Sequence, residues 1–143
     1  PIAVRIFSRT AVPDADWFAE RVWEAWELRA AVRDALLPTN AYRWIYGEGD
    51  ALPGLVADRY GDFAVIHTYA ESVAAIVPQV AAAMRACDHE LRGVAWHSRA
   101  QDEEESEAQR SAILRAVWGE LPPHYLVVQE HGLFFQADLW HGQ

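Results

Sequence analysis

The chain has 143 residues, of which 52% are hydrophobic and 23% are charged, a composition that fits one compact domain with its own core and argues against disorder. Its twelve basic residues are all arginine and stand against 21 acidic ones, so the net charge of −9 argues against strong nucleic-acid binding by this segment alone. A single cysteine excludes an internal disulfide, and no apolar run reaches the ~18 residues that cross a bilayer, so we expect a cytoplasmic protein without membrane contact.

The first predicted elements are a strand and a long helix. Apolar and polar residues alternate over Val4–Phe7, which is typical of a half-buried strand. Asp14 or Asp16 can cap a helix over 17–36, and Pro38 ends it.

Three strands are predicted next, separated by residues that favour turns. The first covers Tyr42–Tyr46 and is followed by a stretch rich in glycine, aspartate and proline. Leu55–Tyr60 and Phe63–Tyr69 flank Gly61 and Asp62, which predicts a hairpin with a tight connection.

A helix, a strand and a second helix are predicted in the middle of the chain. The helix covers Glu71–Ala86, and its regular part is expected to start near Pro78. Leu91–His97 is mostly apolar, as in a strand inside a sheet. The acidic run 101–107 favours the start of a helix over Ala108–Val117, because carboxylates stabilise a helix N-terminus.

The chain closes with two more predicted strands. They cover His124–Glu130 and Leu133–Leu139, with a turn at His131 and Gly132 between them. Helices and strands therefore mix along one chain, and the expected class is α+β (α/β-like): a small mixed, mainly antiparallel sheet with packed helices.

The residue spacing gives little support for a catalytic or metal site. The six histidines show no metal-ligand spacing, and no serine lies in a nucleophile motif. The segment Gly47–Asp50 offers closely spaced glycines, but it lacks a third glycine and its two carboxylates would repel a phosphate. Cys87 is interpreted as a small apolar residue that closes a helix. Most tryptophans are expected in the core rather than stacked on bases.

Two stretches carry a resemblance to a known family. Tyr42–Gly61 reads YRWIYGEGDALPGLVADRYG, and Glu130–Gln143 reads EHGLFFQADLWHGQ. In content, order and separation they resemble signatures of the RlmI-type SAM-dependent methyltransferases of large-subunit ribosomal RNA. The chain departs from that pattern at Ala57 and His131, where the family has Val and Asn.

The resemblance implies a division of the chain within a longer protein. Residues 1–8 would follow an N-terminal PUA domain, 9–129 would form a central α/β domain, and 130–143 would lead into a SAM-binding catalytic domain. Gly142 and Gln143 would then lie next to substrate or cofactor. The family's glycine-rich SAM loop and catalytic cysteine come later, so SAM would be a cofactor of the full-length protein and not of this segment.

The resemblance also separates structural residues from candidate RNA contacts. No residue here is expected to be catalytic or to bind a metal, and Cys87 does not match the family's nucleophile. Arg43, Arg59 and Tyr60 are candidate RNA contacts, although pairing of the two arginines with carboxylates is favoured over contact with phosphate. The remaining signature residues are interpreted as a structural turn motif: Gly47, Glu48, Asp50, Pro53, Gly54, Asp58 and Gly61.

Taken together, these features predict a central positioning domain of a ribosomal RNA methyltransferase of the cytosine-C5 type, not catalytic by itself. Its partners would be the adjacent PUA and SAM domains and, through the full-length protein, ribosomal RNA. The alternative is a free-standing protein-interaction module that uses the same scaffold and its acidic face.

Overall fold

The computed structural model describes residues 6–99 and 114–141. Over these ranges the helices are α1 (Ala15–Leu28), α2 (Ala30–Arg33), α3 (Glu71–Ala74) and α4 (Val77–Cys87), with a 3-10 turn at Gly47–Asp50. The strands are β1 (Ala41–Tyr46), β2 (Leu55–Tyr60), β3 (Phe63–Thr68), β4 (Gly93–Ser98), β5 (Arg115–Gly119), β6 (Tyr125–Glu130) and β7 (Leu133–Asp138). The predicted α+β class is confirmed. The acidic run 101–107 and the first half of the strand predicted at Val4–Phe7 lie outside the described residues, and Ile6 and Phe7 are not part of a strand.

Five strands form a mixed sheet in the order β1-β2-β3-β4-β5. Neighbouring strands run antiparallel except β3 and β4, which are parallel. A parallel pair needs a long crossover, and α3 and α4 supply it. The predicted hairpin around Gly61 is confirmed as β2-β3, and Gly61 has the positive φ of 56° that this tight connection requires.

Two helices cover one face of the sheet and form the core with it. The Asp14 carboxylate caps α1 by accepting from the backbone N–H of Trp17 at 2.9 Å. Phe18 and Val22 of α1 and Met84 of α4 are buried in one cluster with the central strands. Pro78 lies in the first turn of α4, as predicted. Among the described helices, none has the length and apolar character needed to cross a bilayer.

Two helix predictions need correction. The first helix stops at Leu28 rather than near residue 36, because Arg29 leaves helical geometry and turns its guanidinium toward Asp50. The predicted end of the Ala108–Val117 helix is wrong, because Arg115–Gly119 is strand β5. Its pairing with β4 satisfies the backbone groups of that strand and outweighs local helix propensity.

Strands β6 and β7 pair only with each other among the described strands, and their hairpin is fastened to the segment before β1. The backbone N–H of Asn40 donates to the carbonyl of Gln129 at 2.8 Å, and its side-chain oxygen accepts from the N–H of Gln129 at 2.7 Å. At the turn, the N–H of His131 donates to Thr39 Oγ1 at 2.9 Å. Leu139 and Trp140, which follow β7, pack against Val65 on the face of the sheet that the helices leave open.

The hairpin turn predicts a stabilising substitution. His131 and Gly132 have φ of 48° and 80°, a geometry that favours Asn at the first position. We expect His131→Asn to raise the free energy of unfolding by about 0.5 kcal/mol, because Asn adopts left-handed backbone at lower cost. Urea denaturation measures the change. His131→Ala is the control and should be destabilising; equal stability of the two variants would contradict the prediction.

A buried ion pair joins α1 to the 3-10 turn. Arg29 donates to both carboxylate oxygens of Asp50 at 2.8 and 2.7 Å, and the Asp50 side chain is only 4% exposed. Asp50 also accepts from the backbone N–H of Tyr46 at 2.6 Å. One carboxylate thus fixes the end of α1, the end of β1 and the turn between β1 and β2.

Removal of this carboxylate charge should be costly. We expect Asp50→Asn to lower the free energy of unfolding by about 3 kcal/mol, because it leaves the guanidinium of Arg29 mostly buried without its counter-charge. The control is Asp62→Asn, which alters a solvent-exposed pair with Arg92 at 3.8 Å and should cost under about 1 kcal/mol. Equal midpoints for both variants in urea denaturation would argue against a structural role for Asp50.

Candidate functional site

A polar cavity of about 320 Å³ lies between the open face of the sheet and the residues at the end of β7. Its charged and aromatic lining comes from β1 to β4 and from the hairpin: Arg43, Asp58, Tyr60, His67, Tyr69, His97, Arg99 and Asp138. Because these side chains include donors, acceptors and aromatic rings, the cavity suits a ligand that is both polar and planar.

The two-residue period of the strands selects which side chains reach this cavity. In β2, Asp58 and Tyr60 face the cavity, whereas Arg59 faces the helices. In β3, the alternate residue His67 faces it too. Parallel register places His97 of β4 beside His67, with ring centroids 5.7 Å apart and ring planes nearly perpendicular. At this cavity the open face therefore carries ionisable groups beside a small apolar cluster that includes Val65.

Arg43 and Asp58 form an ion pair across β1 and β2 at the cavity. Arg43 Nε lies 2.9 Å from one carboxylate oxygen of Asp58, and Nη2 lies 3.1 Å from the other. This hydrogen bonding raises the pKa of Arg43 further above its ordinary value. The Arg43 side chain is nevertheless 47% exposed. Asp58 occupies two of the five N–H groups of the guanidinium, which leaves three for another acceptor.

Arg59, a candidate RNA contact on sequence grounds, lies on the opposite face of the sheet. It donates to Asp88 at 2.7 Å and to Glu90 at 3.2 Å, and only 8% of the residue is exposed. The structure thus pairs this arginine with two carboxylates at the end of α4. It offers a phosphate very little surface.

Tyr60, the third candidate contact, lines the cavity and is half-buried. Burial is the main cause that raises the pKa of its hydroxyl, and the charge of Asp58 adds to it. Tyr60 therefore keeps its proton at neutral pH, and the hydroxyl can donate a hydrogen bond to a ligand.

A second cavity of about 340 Å³ adjoins the first and shares Arg43 and Tyr69 with it. The glycine-rich turn forms one wall, where Gly47 has a φ of 49° and Glu48 is exposed. Tyr46 also lines this second cavity, which forms a groove. The two cavities therefore form one continuous surface centred on Arg43.

The glycine-rich turn does not have the geometry of a phosphate cradle. Gly47–Asp50 is a 3-10 turn that leads into strand β2 through Pro53 and Gly54, and no helix follows it. Of its two carboxylates, Asp50 is held by Arg29 and only Glu48 reaches the groove. The turn thus shapes the second cavity and leaves one acidic side chain at its rim.

The chain turns sharply after β7 at the rim of the first cavity. The Asp138 carboxylate accepts from the backbone N–H groups of Trp140 and His141, both at 3.0 Å, and lies 3.1 Å from the ring Nδ1 of His141. Desolvation acts to raise the pKa of Asp138, but these hydrogen bonds together hold it below its ordinary value. Gly142 and Gln143, predicted to be near substrate or cofactor, lie outside the described residues.

Sequence reasoning missed several residues of this surface. The sequence pattern places Tyr46 and Tyr69 in strands without indicating a binding role, and the spacing of His67 and His97 along the chain does not indicate a site. Strand alternation would have placed His67 on the face of Asp58, but the pairing with His97 depends on the parallel register. Within 6–99 and 114–141, no three His, Cys, Asp or Glu side chains converge as metal ligands would.

Known proteins that resemble this chain are ribosomal RNA methyltransferases. Ribosomal RNA large subunit methyltransferase I of Shigella boydii is 33% identical over 131 residues, which are 90% of this chain and 32% of that protein. The Klebsiella pneumoniae protein of the same name is 32% identical over 138 residues, 95% of this chain and 33% of its own length. The chain is homologous to one segment of these methyltransferases. It spans about a third of their length, and no protein-family model matches it.

Solved structures with the same fold are also longer methyltransferases. A protein from Streptococcus mutans, proposed to be SAM-dependent, matches with a TM-score of 0.77 and 22% identity over 94% of this chain and 32% of its own. A proposed methyltransferase solved with bound SAH matches with the same TM-score of 0.77 and 21% identity. At this identity the likeness shows a shared fold. The motif resemblance to RlmI-type methyltransferases is confirmed by the sequence relatives.

In this homologue of RlmI-type methyltransferases, the one cysteine should react slowly. Cys87 closes α4, and burial raises the pKa of its thiol to about 11 from 9.0. At about pH 8 the folded chain should hold roughly 100-fold less thiolate than the unfolded chain, because each pKa unit is a factor of ten. Reaction with an aromatic disulfide reagent, in buffer and in urea, measures the ratio. A folded-state rate within a few-fold of the unfolded rate would show an activated thiol instead.

Proposed function

We propose that the chain is the central positioning segment of a SAM-dependent ribosomal RNA methyltransferase of the cytosine-C5 type and is not catalytic by itself. One observation carries the proposal: nearly the whole chain matches about one third of relatives that are named ribosomal RNA methyltransferases. A cytoplasmic location agrees with such a substrate.

The proposed domain order uses the geometry of the open face. Residues 1–8 would follow a PUA domain, 9–129 would form the positioning domain, and 130–143 would lead into the domain that binds SAM and carries the nucleophile. Because the turn at Asp138 lies at the rim of the first cavity, a catalytic domain joined after β7 would meet this surface. Methyl transfer would then be a property of that domain.

The open face would contribute contacts to RNA. Arg43 is half-exposed and keeps N–H groups for a phosphate, and Tyr60 offers a protonated hydroxyl in the same cavity. Arg59 is left out of this role because carboxylates on the helical face bind it. The proposed RNA surface is therefore one face of the sheet.

The exposed hairpin favours a second candidate function, a protein-interaction module. Tyr125, Val127 and Phe134 share one face of β6 and β7, and each exposes more than half of its surface. Apolar exposure of this kind marks protein interfaces. In the first proposal the same surface packs against the neighbouring domain; in the second it binds a separate protein.

The division of labour predicts that SAM binding requires the full-length protein. Calorimetry with SAM should give no binding heat for the 143-residue chain up to about 1 mM, whereas the full-length protein should bind SAM with an affinity in the micromolar range that is usual for enzyme ligands. Micromolar binding by the chain alone would place the cofactor site within these residues and refute the proposed role.

The RNA role predicts a specific kinetic effect in the full-length protein. Arg43→Gln should raise the KM for ribosomal RNA by about tenfold and leave SAM affinity unchanged, because a charge-assisted hydrogen bond contributes about 1.5–3 kcal/mol. Arg85→Gln is the matched control, since Arg85 is exposed on α4 of the helical layer. Equal KM values for both variants would argue against RNA contact on the open face.

A further inference from the structure

We infer that the second cavity is a binding site for one unpaired RNA nucleotide, with the base stacked on Tyr46 or Tyr69 and its phosphate held by Arg43. This inference rests on the proposed function and adds the site and the form of RNA it takes. The groove measures about 340 Å³, which is at the lower end of the size of small-ligand sites.

The two tyrosines have the exposure that base stacking requires. Tyr46 is 61% exposed and Tyr69 is 50% exposed, yet both line the same groove. Gly49 packs against the Tyr46 ring, since a Cβ at this position would lie 3.2 Å from Tyr46 Cδ1. The backbone N–H of Tyr69 donates to the carbonyl of Gly54 at 3.1 Å. Each tyrosine therefore keeps at least half of its surface accessible for stacking an unpaired base.

Arg43 is placed to bind the phosphate beside a stacked base. Its guanidinium carbon lies 5.8 Å from the centroid of the Tyr46 ring, and Asp58 holds it there by two hydrogen bonds. The other N–H groups can donate to phosphate oxygens. Glu48 also lines the groove and its carboxylate would repel a phosphate, so the phosphate must bind beside Arg43.

The negative net charge of the chain distinguishes this site from the basic surfaces on which most proteins bind nucleic acids. With a net charge of −9, the molecule does not attract RNA over long distances, and few phosphates can be neutralised at the groove. Affinity must therefore come mainly from stacking, and its dependence on salt should be shallow. One phosphate contact to a single strand gives a slope of about −0.7 in log affinity against log salt concentration.

Fluorescence anisotropy with a labelled cytidine oligonucleotide of about eight nucleotides tests the inference on the 143-residue chain. Of Tyr46→Ala and Tyr69→Ala, the variant that removes the stacking ring should weaken binding by about tenfold, because stacking contributes about 1–3 kcal/mol per base. Tyr46→Phe and Tyr69→Phe should bind like the wild type, since the ring face is kept. Glu48→Gln should tighten binding by about twofold, because it removes one repulsive charge.

Tyr125→Ala is the matched control, because Tyr125 is 63% exposed on the hairpin and does not line the groove. A paired RNA hairpin should compete poorly, as its bases are already stacked. The inference is overturned if both alanine variants bind as well as the wild type, if Tyr125→Ala loses as much, or if the paired RNA competes equally. If one of these results is found while Arg43→Gln still raises the KM for ribosomal RNA in the full-length protein, the inference fails and the proposed function stands.

Discussion

Two ion pairs on opposite faces of β2 fix the register of this strand, and the arrangement of the rest of the sheet depends on it. Asp58 points to the open face and pairs with Arg43, while its neighbour Arg59 points to the helices and pairs with Asp88. A slip of one residue in this strand would exchange the faces and leave both charges without their partners. The register of β2 is therefore specified by charge as well as by its buried apolar residues. Because β1 and β3 pair with β2, their positions follow from it.

The parallel pairing of β3 and β4 then gives the open face its chemical character. It brings His67 next to His97 and extends the row of polar groups that begins at Arg43. The helices cover only the other face, and Arg43 stays half-exposed in a protein whose total charge is strongly negative, whereas Asp58 and His97 are buried. A face of this kind can bind a ligand by its shape and by stacking on aromatic side chains, without general attraction to phosphate.

The fold was predictable from the sequence where turn chemistry marks the ends of strands. Gly61 and Gly132 each separate two alternating segments, and both hairpins were found from them. The helix predicted to reach Val117 failed because β4 needs a partner strand, a requirement that no local pattern reveals. Arg43 and Arg59 look alike in the sequence, and only the three-dimensional partners separate the exposed arginine from the buried one. The groove between Tyr46 and Tyr69 was missed for the same reason: it joins residues from different strands.

The hydrogen bonds between Asn40 and Gln129 join residues 89 positions apart. Together with the bond from His131 to Thr39, they attach the β6-β7 hairpin near its turn. During synthesis the first three strands emerge well before Gln129 does, so the segment ahead of β1 must wait for the last hairpin before its backbone groups are satisfied. The hydrogen bonds to the hairpin therefore close a loop of 89 residues, a non-local contact of the kind that slows folding. The surface that receives the hairpin is exposed on the nascent chain until that moment.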